Sequence, residues 1–126
     1  MTNTILKNML NANKIKVTKQ PNWISPMLAT LTKDYFSDKN WLYERKLDGE
    51  RVLAIKKNKR VKLYSRNKQL ITSTYPEIEK LLLKQKQSMI LDGEIVAFDK
   101  SVTSFSKLQG RIHVKDSKKA LKSGIK

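Results

Sequence analysis

Apolar and polar positions alternate most clearly between Trp41 and Arg66. "WLYERKL" (Trp41–Leu47) reads as a strand, and Asp48-Gly49 after it is a hairpin-type turn. "ERVLAIKK" follows, the polar "KNKR" turns the chain, and "VKLYSR" (Val61–Arg66) resumes the pattern. Three short strands at this spacing predict an antiparallel meander. The period then changes. Thr74-Tyr75-Pro76-Glu77 matches a capping box with proline in the first helical turn, where its missing N–H costs little. Ile78, Leu81 and Leu82 make an apolar stripe, with acids early and Lys84 and Lys86 late, as the helix dipole favours. "MILDGEIVAFD" (Met89–Asp99) predicts a fourth strand, and "SFSKLQGRI" a short helix with Phe105, Leu108 and Ile112 on one side. The fold class that follows is α+β, with antiparallel strands and two or three helices.

The flanks are less patterned. Residues 1–20 carry Lys7, Lys14, Lys16 and Lys19 and no acid. Ile5, Leu6, Met9 and Leu10 allow a turn or two of amphipathic helix, and a frayed basic leader is the alternative. "QPNWISPMLATL" reads as extended, because Pro21 and Pro26 disfavour helix in the residues before them. The tail "HVKDSKKALKSGIK" is basic and weakly periodic.

Composition narrows the function classes. The chain has 126 residues, enough for one small domain or part of a larger one, and 39% hydrophobic residues suit a folded core. Lys and Arg number 27 against 11 Asp and Glu, for a net charge of +16, which favours a polyanionic partner, nucleic acid first. With no cysteine and one histidine, His113, the chain offers no disulfide framework, no Cys or His-cluster zinc site and no ordinary Ser-His-Asp triad. No apolar run approaches the roughly 18 residues of a membrane span, and no secretory leader is apparent, so a cytoplasmic location is the expectation.

The densest chemistry lies in "YERKLDGER" (Tyr43–Arg51), where Glu44, Asp48 and Glu50 surround Lys46. A charged hairpin turn and a reactive lysine are both open on these residues alone. In strands, Glu44 and Lys46 would share one face, and Asp92 and Glu94 another. Together these would form the wall of a polar pocket.

"ERKLDGER" resembles the E-x-K-x-D-G-x-R signature of ATP-dependent DNA ligases, whose lysine becomes adenylylated. "YSRN" (Tyr64–Asn67) and "LDGEIVAF" (Leu91–Phe98) are similar to that family's second and third motifs. "PMLATL", "YPEI" and "SFSKLQGR" are similar to connecting segments of the bacterial end-joining type. The likeness runs in order from Ser25 to Arg111 and implies a partial nucleotidyltransferase (ATP-grasp-like) domain over residues 21–126. It implies Lys46 as the nucleophile that attacks the α-phosphate of ATP. Glu44, Arg45, Asp48, Gly49, Arg51 and Arg66 would frame the nucleotide. Glu94 would hold the ribose and touch the Mg2+ shell, and nicked duplex DNA would be the substrate. A lysine must lose its proton to attack, which costs about 4 kcal/mol at pH 7.5 from a pKa near 10.4.

The family pattern continues past "LQGR" with an adenine-stacking aromatic, an acidic metal motif, a K-x-K motif and an OB-fold domain, none of which is recognisable here. The expectation is a chain that does not ligate alone, with a second chain supplying the missing motifs. A basic nucleic-acid-binding remnant without chemistry is the alternative, as is part of an RNA ligase or capping-type enzyme. Lys56, Lys57, Lys59, Arg60 and Lys62 crowd one hairpin, to meet DNA phosphates or simply face water. His113 takes no role.

Overall fold

The computed structural model describes residue 11 and residues 18–123. The amphipathic turn expected at Ile5–Leu10 lies outside the described residues. The central unit is a three-stranded antiparallel sheet of β1 (Glu50–Lys57), β2 (Arg60–Ser65) and β3 (Met89–Ile95), ordered β2-β1-β3. Strand β1 is the middle one, and its Val52, Leu53, Ala54 and Ile55 are all buried, as a continuous apolar run predicts for a strand covered on both faces.

One face packs against the helical layer. Val52 and Ala54 of β1 and Val61 and Leu63 of β2 join Ile71, Tyr75, Ala97 and Leu108 in the core. This layer contains α1 (Pro76–Leu83), α2 (Phe105–Ile112) and α3 (Ser117–Lys122), with a 3₁₀ turn at Thr72–Thr74 ahead of α1. A two-stranded ribbon, β4 (Phe98–Asp99) with β5 (Val102–Thr103), leads into α2. The other face, that of Leu53 and Ile55, is crossed by an extended strap. Gln20 Nε2 donates to the Lys56 and Met89 carbonyls at 3.0 and 3.2 Å. The Trp23 ring meets Tyr64 edge-on at 5.3 Å. The Met27 carbonyl accepts from Arg51 Nη1 at 2.7 Å. The strap therefore runs antiparallel to β1.

The fold class matches the expectation, but four local readings need correction. Trp41–Leu47 is not a strand and does not pair through Asp48-Gly49, because both edges of β1 are already taken by β2 and β3. Instead Asp38 Oδ1 accepts from the Asn40 N–H at 2.7 Å, and the Phe36 ring packs beside Trp41 and Tyr43. The capping box at Thr74 does not form. Tyr75 is the N-cap, without a side-chain bond, because Arg111 takes both the Thr74 carbonyl and the Glu77 carboxylate. Leu81 is exposed, so the stripe of α1 reduces to Ile78 and Leu82. The fourth strand breaks at Val96-Ala97: β1 starts at Glu50, opposite Ile95, so β1 offers no partner beyond it, and Phe98–Asp99 pairs with β5 instead. Helix α3 was not anticipated, although Asp116 before it is a recognisable N-cap that accepts from Lys118 and Lys119 N–H.

Tyr75 is buried, and its hydroxyl donates to Glu50 Oε2 at 2.6 Å. Burial first, and then the Glu50 carboxylate, raise its pKa well above the ordinary value. The unfolded chain releases this proton near pH 10 and the folded chain holds it, so stability falls as pH rises past about 10. We expect Tyr75→Phe to cost about 1–2 kcal/mol at neutral pH, since Glu50 loses its donor, and to flatten that alkaline decline. Urea midpoints at neutral pH and above pH 10 read both effects. Equal alkaline slopes in the two proteins would overturn the assignment.

Candidate active site

The site is built where β1 begins. A cleft of about 770 Å3 opens there, lined by Glu44, Arg45 and Lys46, by Arg51 of β1, by Arg66 just after β2, and by Asp92, Gly93 and Glu94 of β3. A neighbouring cleft of about 370 Å3 shares Arg51, Arg66 and Glu94 and adds Gly49, Phe105 and Ile112. Six of the eight residues singled out in the sequence thus line the larger cleft, and Gly49 lines its neighbour. Asp48 lines neither; its backbone N–H donates to Thr103 Oγ1 at 3.4 Å.

Sheet register explains the acidic wall. Arg51 lies opposite Glu94, and Asp92 follows two residues away on the same face. The Arg51 guanidinium grips Asp92 through Nε at 3.0 Å and Nη2 at 2.8 Å, while Nη1 holds the strap at Met27. The bidentate bond raises the Arg51 pKa and lowers that of Asp92. Glu94 is left without that partner. Burial raises its pKa, with help from Glu50 and Asp48, against the opposing pull of Arg51 and the Gly49 N–H. The two acids on one face are therefore not equivalent: Asp92 is tied up and Glu94 is available.

The lysine segment follows a different logic. Glu44, Arg45 and Lys46 all face the same cleft, which strand alternation would forbid. Tyr43 turns away, its hydroxyl donating to the Phe36 carbonyl at 3.2 Å and accepting from the Asp38 N–H at 2.8 Å. Lys46 is exposed and makes no ion pair with another described residue. Glu50, counted among the acids around Lys46 in the sequence, is engaged by Tyr75 instead. The partnership of Arg51 with Asp92 was not foreseen, although the shared face of Asp92 and Glu94 was its signal. The Met27 contact had none.

Gly49 carries the segment into β1. A Cβ at this position would overlap the Ile95 carbonyl oxygen and lie 2.8 Å from Val96 Cγ1. The loop can approach the end of β3 this closely only because the side chain is missing. We expect Gly49→Ala to destabilise the protein by about 1–3 kcal/mol through overpacking against backbone. A urea midpoint equal to that of the parent would show that this junction is not tight.

Comparison with known proteins bears on these residues. Residues 26–125 match the family model described as ATP dependent DNA ligase domain. The SPbeta prophage-derived DNA ligase-like protein LigB of Bacillus subtilis (strain 168) is 36% identical over 74 residues, covering 59% of this chain and 27% of that protein. The multifunctional non-homologous end joining protein LigD of Mycolicibacterium smegmatis is 36% identical over 110 residues, covering 83% of this chain and 14% of its own. A solved structure of mycobacterial DNA ligase D complexed with ATP and MES superposes with a TM-score of 0.50 at 37% identity, over 54% of this chain and 23% of that one. The chain thus spans a quarter or less of the solved ligase and about a quarter or less of these two relatives.

Proposed function

The chain belongs to the ATP-dependent DNA ligase family, and we propose that it forms the nucleotide-binding part of an adenylation domain in which Lys46 takes up AMP. One observation carries this reading. Lys46, Arg66 and Glu94 come from three separate stretches of sequence and line one cleft of about 770 Å3, a size suited to a small-molecule ligand.

In the first step Lys46, once deprotonated, attacks the α-phosphorus of ATP. A P–N bond forms, the P–O bond to the β-phosphate breaks, and pyrophosphate leaves with the electron pair of that bond. Arg66, which makes no ion pair with another described residue, is the cation placed to meet phosphate charge. Arg51 has three of its nitrogens engaged within the protein, so its main work is to hold strap and sheet together beside the nucleotide. Glu94 accepts from the ribose hydroxyls. A magnesium ion fits beside Glu94 rather than in a protein cage. Asp92 is committed to Arg51, and the described residues hold no group of three or more potential metal ligands. Glu94 would hold the ion, which would supply neutralising charge to the phosphates. Nicked duplex DNA is the substrate of the later steps.

Intact mass after incubation with ATP and magnesium tests the first step. We expect the parent to gain one AMP and Lys46→Ala to gain none. No gain in a parent that is folded by circular dichroism would overturn self-adenylylation by this chain.

Sealing a nick draws on more than this portion of a ligase. Met27 at the end of the strap, and Leu31, Tyr35 and Leu42 on the segment between strap and lysine, are 85–104% exposed. We propose that a second chain carrying the acidic metal motif and the K-x-K motif covers this apolar surface. Titration with such a polypeptide is expected to raise the sedimentation coefficient; an unchanged monomer would remove the proposal.

A further inference from the structure

We infer that the β1–β2 hairpin is a second anion site, a seat for the backbone phosphates of duplex DNA engaged at the cleft. The choice of DNA as polyanion rests on the ligase reading above. A cavity of about 630 Å3 opens at the hairpin, lined by Lys57, Lys59, Arg60 and Lys62 with Asn22 and Asn58, and with no carboxylate in its wall. None of these four cations makes an ion pair with another described residue. A concave surface of one sign focuses potential in a way that scattered, solvated lysines do not.

The hairpin is also built rather than merely charged. Lys56 is 2% exposed, and its ammonium donates to the Asn58 carbonyl at 2.7 Å from behind the turn. Asn58 takes the left-handed conformation the turn needs (φ 53°), and its N–H donates to Ser88 Oγ at 3.1 Å. Gln20 ties the strap to Lys56 of β1 and to Met89 of the neighbouring β3. The cations therefore project from a fixed frame, which lowers the entropy cost of holding an extended anion.

Position completes the inference. Arg51 and Lys57 lie six residues apart on the same face of β1, about 20 Å at roughly 3.3 Å per residue. That distance corresponds to about six nucleotide steps at 3.4 Å each. A duplex whose joint lies in the cleft and whose axis follows β1 would lay a strand over the hairpin.

The test is anisotropy titration of nicked duplex DNA at several salt concentrations. The variant is Lys57→Ala/Lys59→Ala/Arg60→Ala/Lys62→Ala. The charge-matched control is Lys115→Ala/Lys118→Ala/Lys119→Ala/Lys122→Ala, at and near α3. Loss of four phosphate contacts should flatten the slope of log affinity against log salt by about 3–4 and weaken low-salt binding more than tenfold. The control should change the slope by less than about 1. Lys57→Arg/Lys59→Arg/Lys62→Arg keeps the charges and should bind as the parent does, which separates charge from folding. Equal losses in hairpin variant and control, no loss in the hairpin variant, or no binding by the parent would overturn the proposal. Tighter binding of an RNA duplex would overturn the choice of DNA. AMP uptake, read by mass on the same samples, should be unchanged in the hairpin variant. Its absence in the parent would defeat the ligase reading while the titrations still decide the hairpin.

Discussion

The guanidinium of Arg111 holds the helical layer together. It is 3% exposed, yet each of its nitrogens has a partner. Nε donates to the Thr74 carbonyl at 2.8 Å, Nη2 to both Glu77 oxygens at 2.8 and 2.7 Å, and Nη1 to Ser123 Oγ at 3.2 Å. Its face lies 5.8 Å from the centre of the Tyr75 ring. One side chain on α2 thereby ties the 3₁₀ turn, the start of α1 and the end of α3. A buried charge this costly to desolvate persists only when fully bonded, and truncating such a partner typically costs about 3–5 kcal/mol. The lower end of that range applies here, because the Glu77 side chain is 44% exposed and water can replace part of the pair.

From Arg111 the linkage passes through Tyr75 to the cleft. The Tyr75 ring lies under the guanidinium, and its hydroxyl holds Glu50 at the first position of β1. Gly49 and Arg51 flank Glu50. One lets the loop press against the end of β3, and the other clamps Asp92 and the strap. The helical layer, remote from Lys46 in sequence, thus fixes the point at which the lysine segment leaves the sheet. Asp92 and Glu94 sit on a ladder-bonded strand, whereas Glu44 and Lys46 ride on an exposed segment without regular structure. The placement of Lys46 at the cleft depends on that segment, and the placement of Arg51 and Glu94 depends on the sheet.

The sequence by itself determined the strands from Glu50 to Ser65, the helices at Pro76 and Phe105 and the approach of Asp92 and Glu94 to one face, because these follow from local periodicity and turn chemistry. The grouping of Lys46, Arg51, Arg66 and Glu94 was legible as ordered motifs, since motif order survives whatever path the chain takes between them. What only the tertiary structure decided is which partner each polar group takes. "WLYERKL" has strand character but no free edge on β1, because β2 and β3, the latter more than thirty residues further along, occupy both. Glu50 and Glu77 looked like a lysine neighbour and a capping residue, and long-range pairing with Tyr75 and Arg111 reassigned them. Local pattern fixes which residues can pair, but burial selects the pairs, because a polar group removed from water must take the partner that three-dimensional packing brings to it.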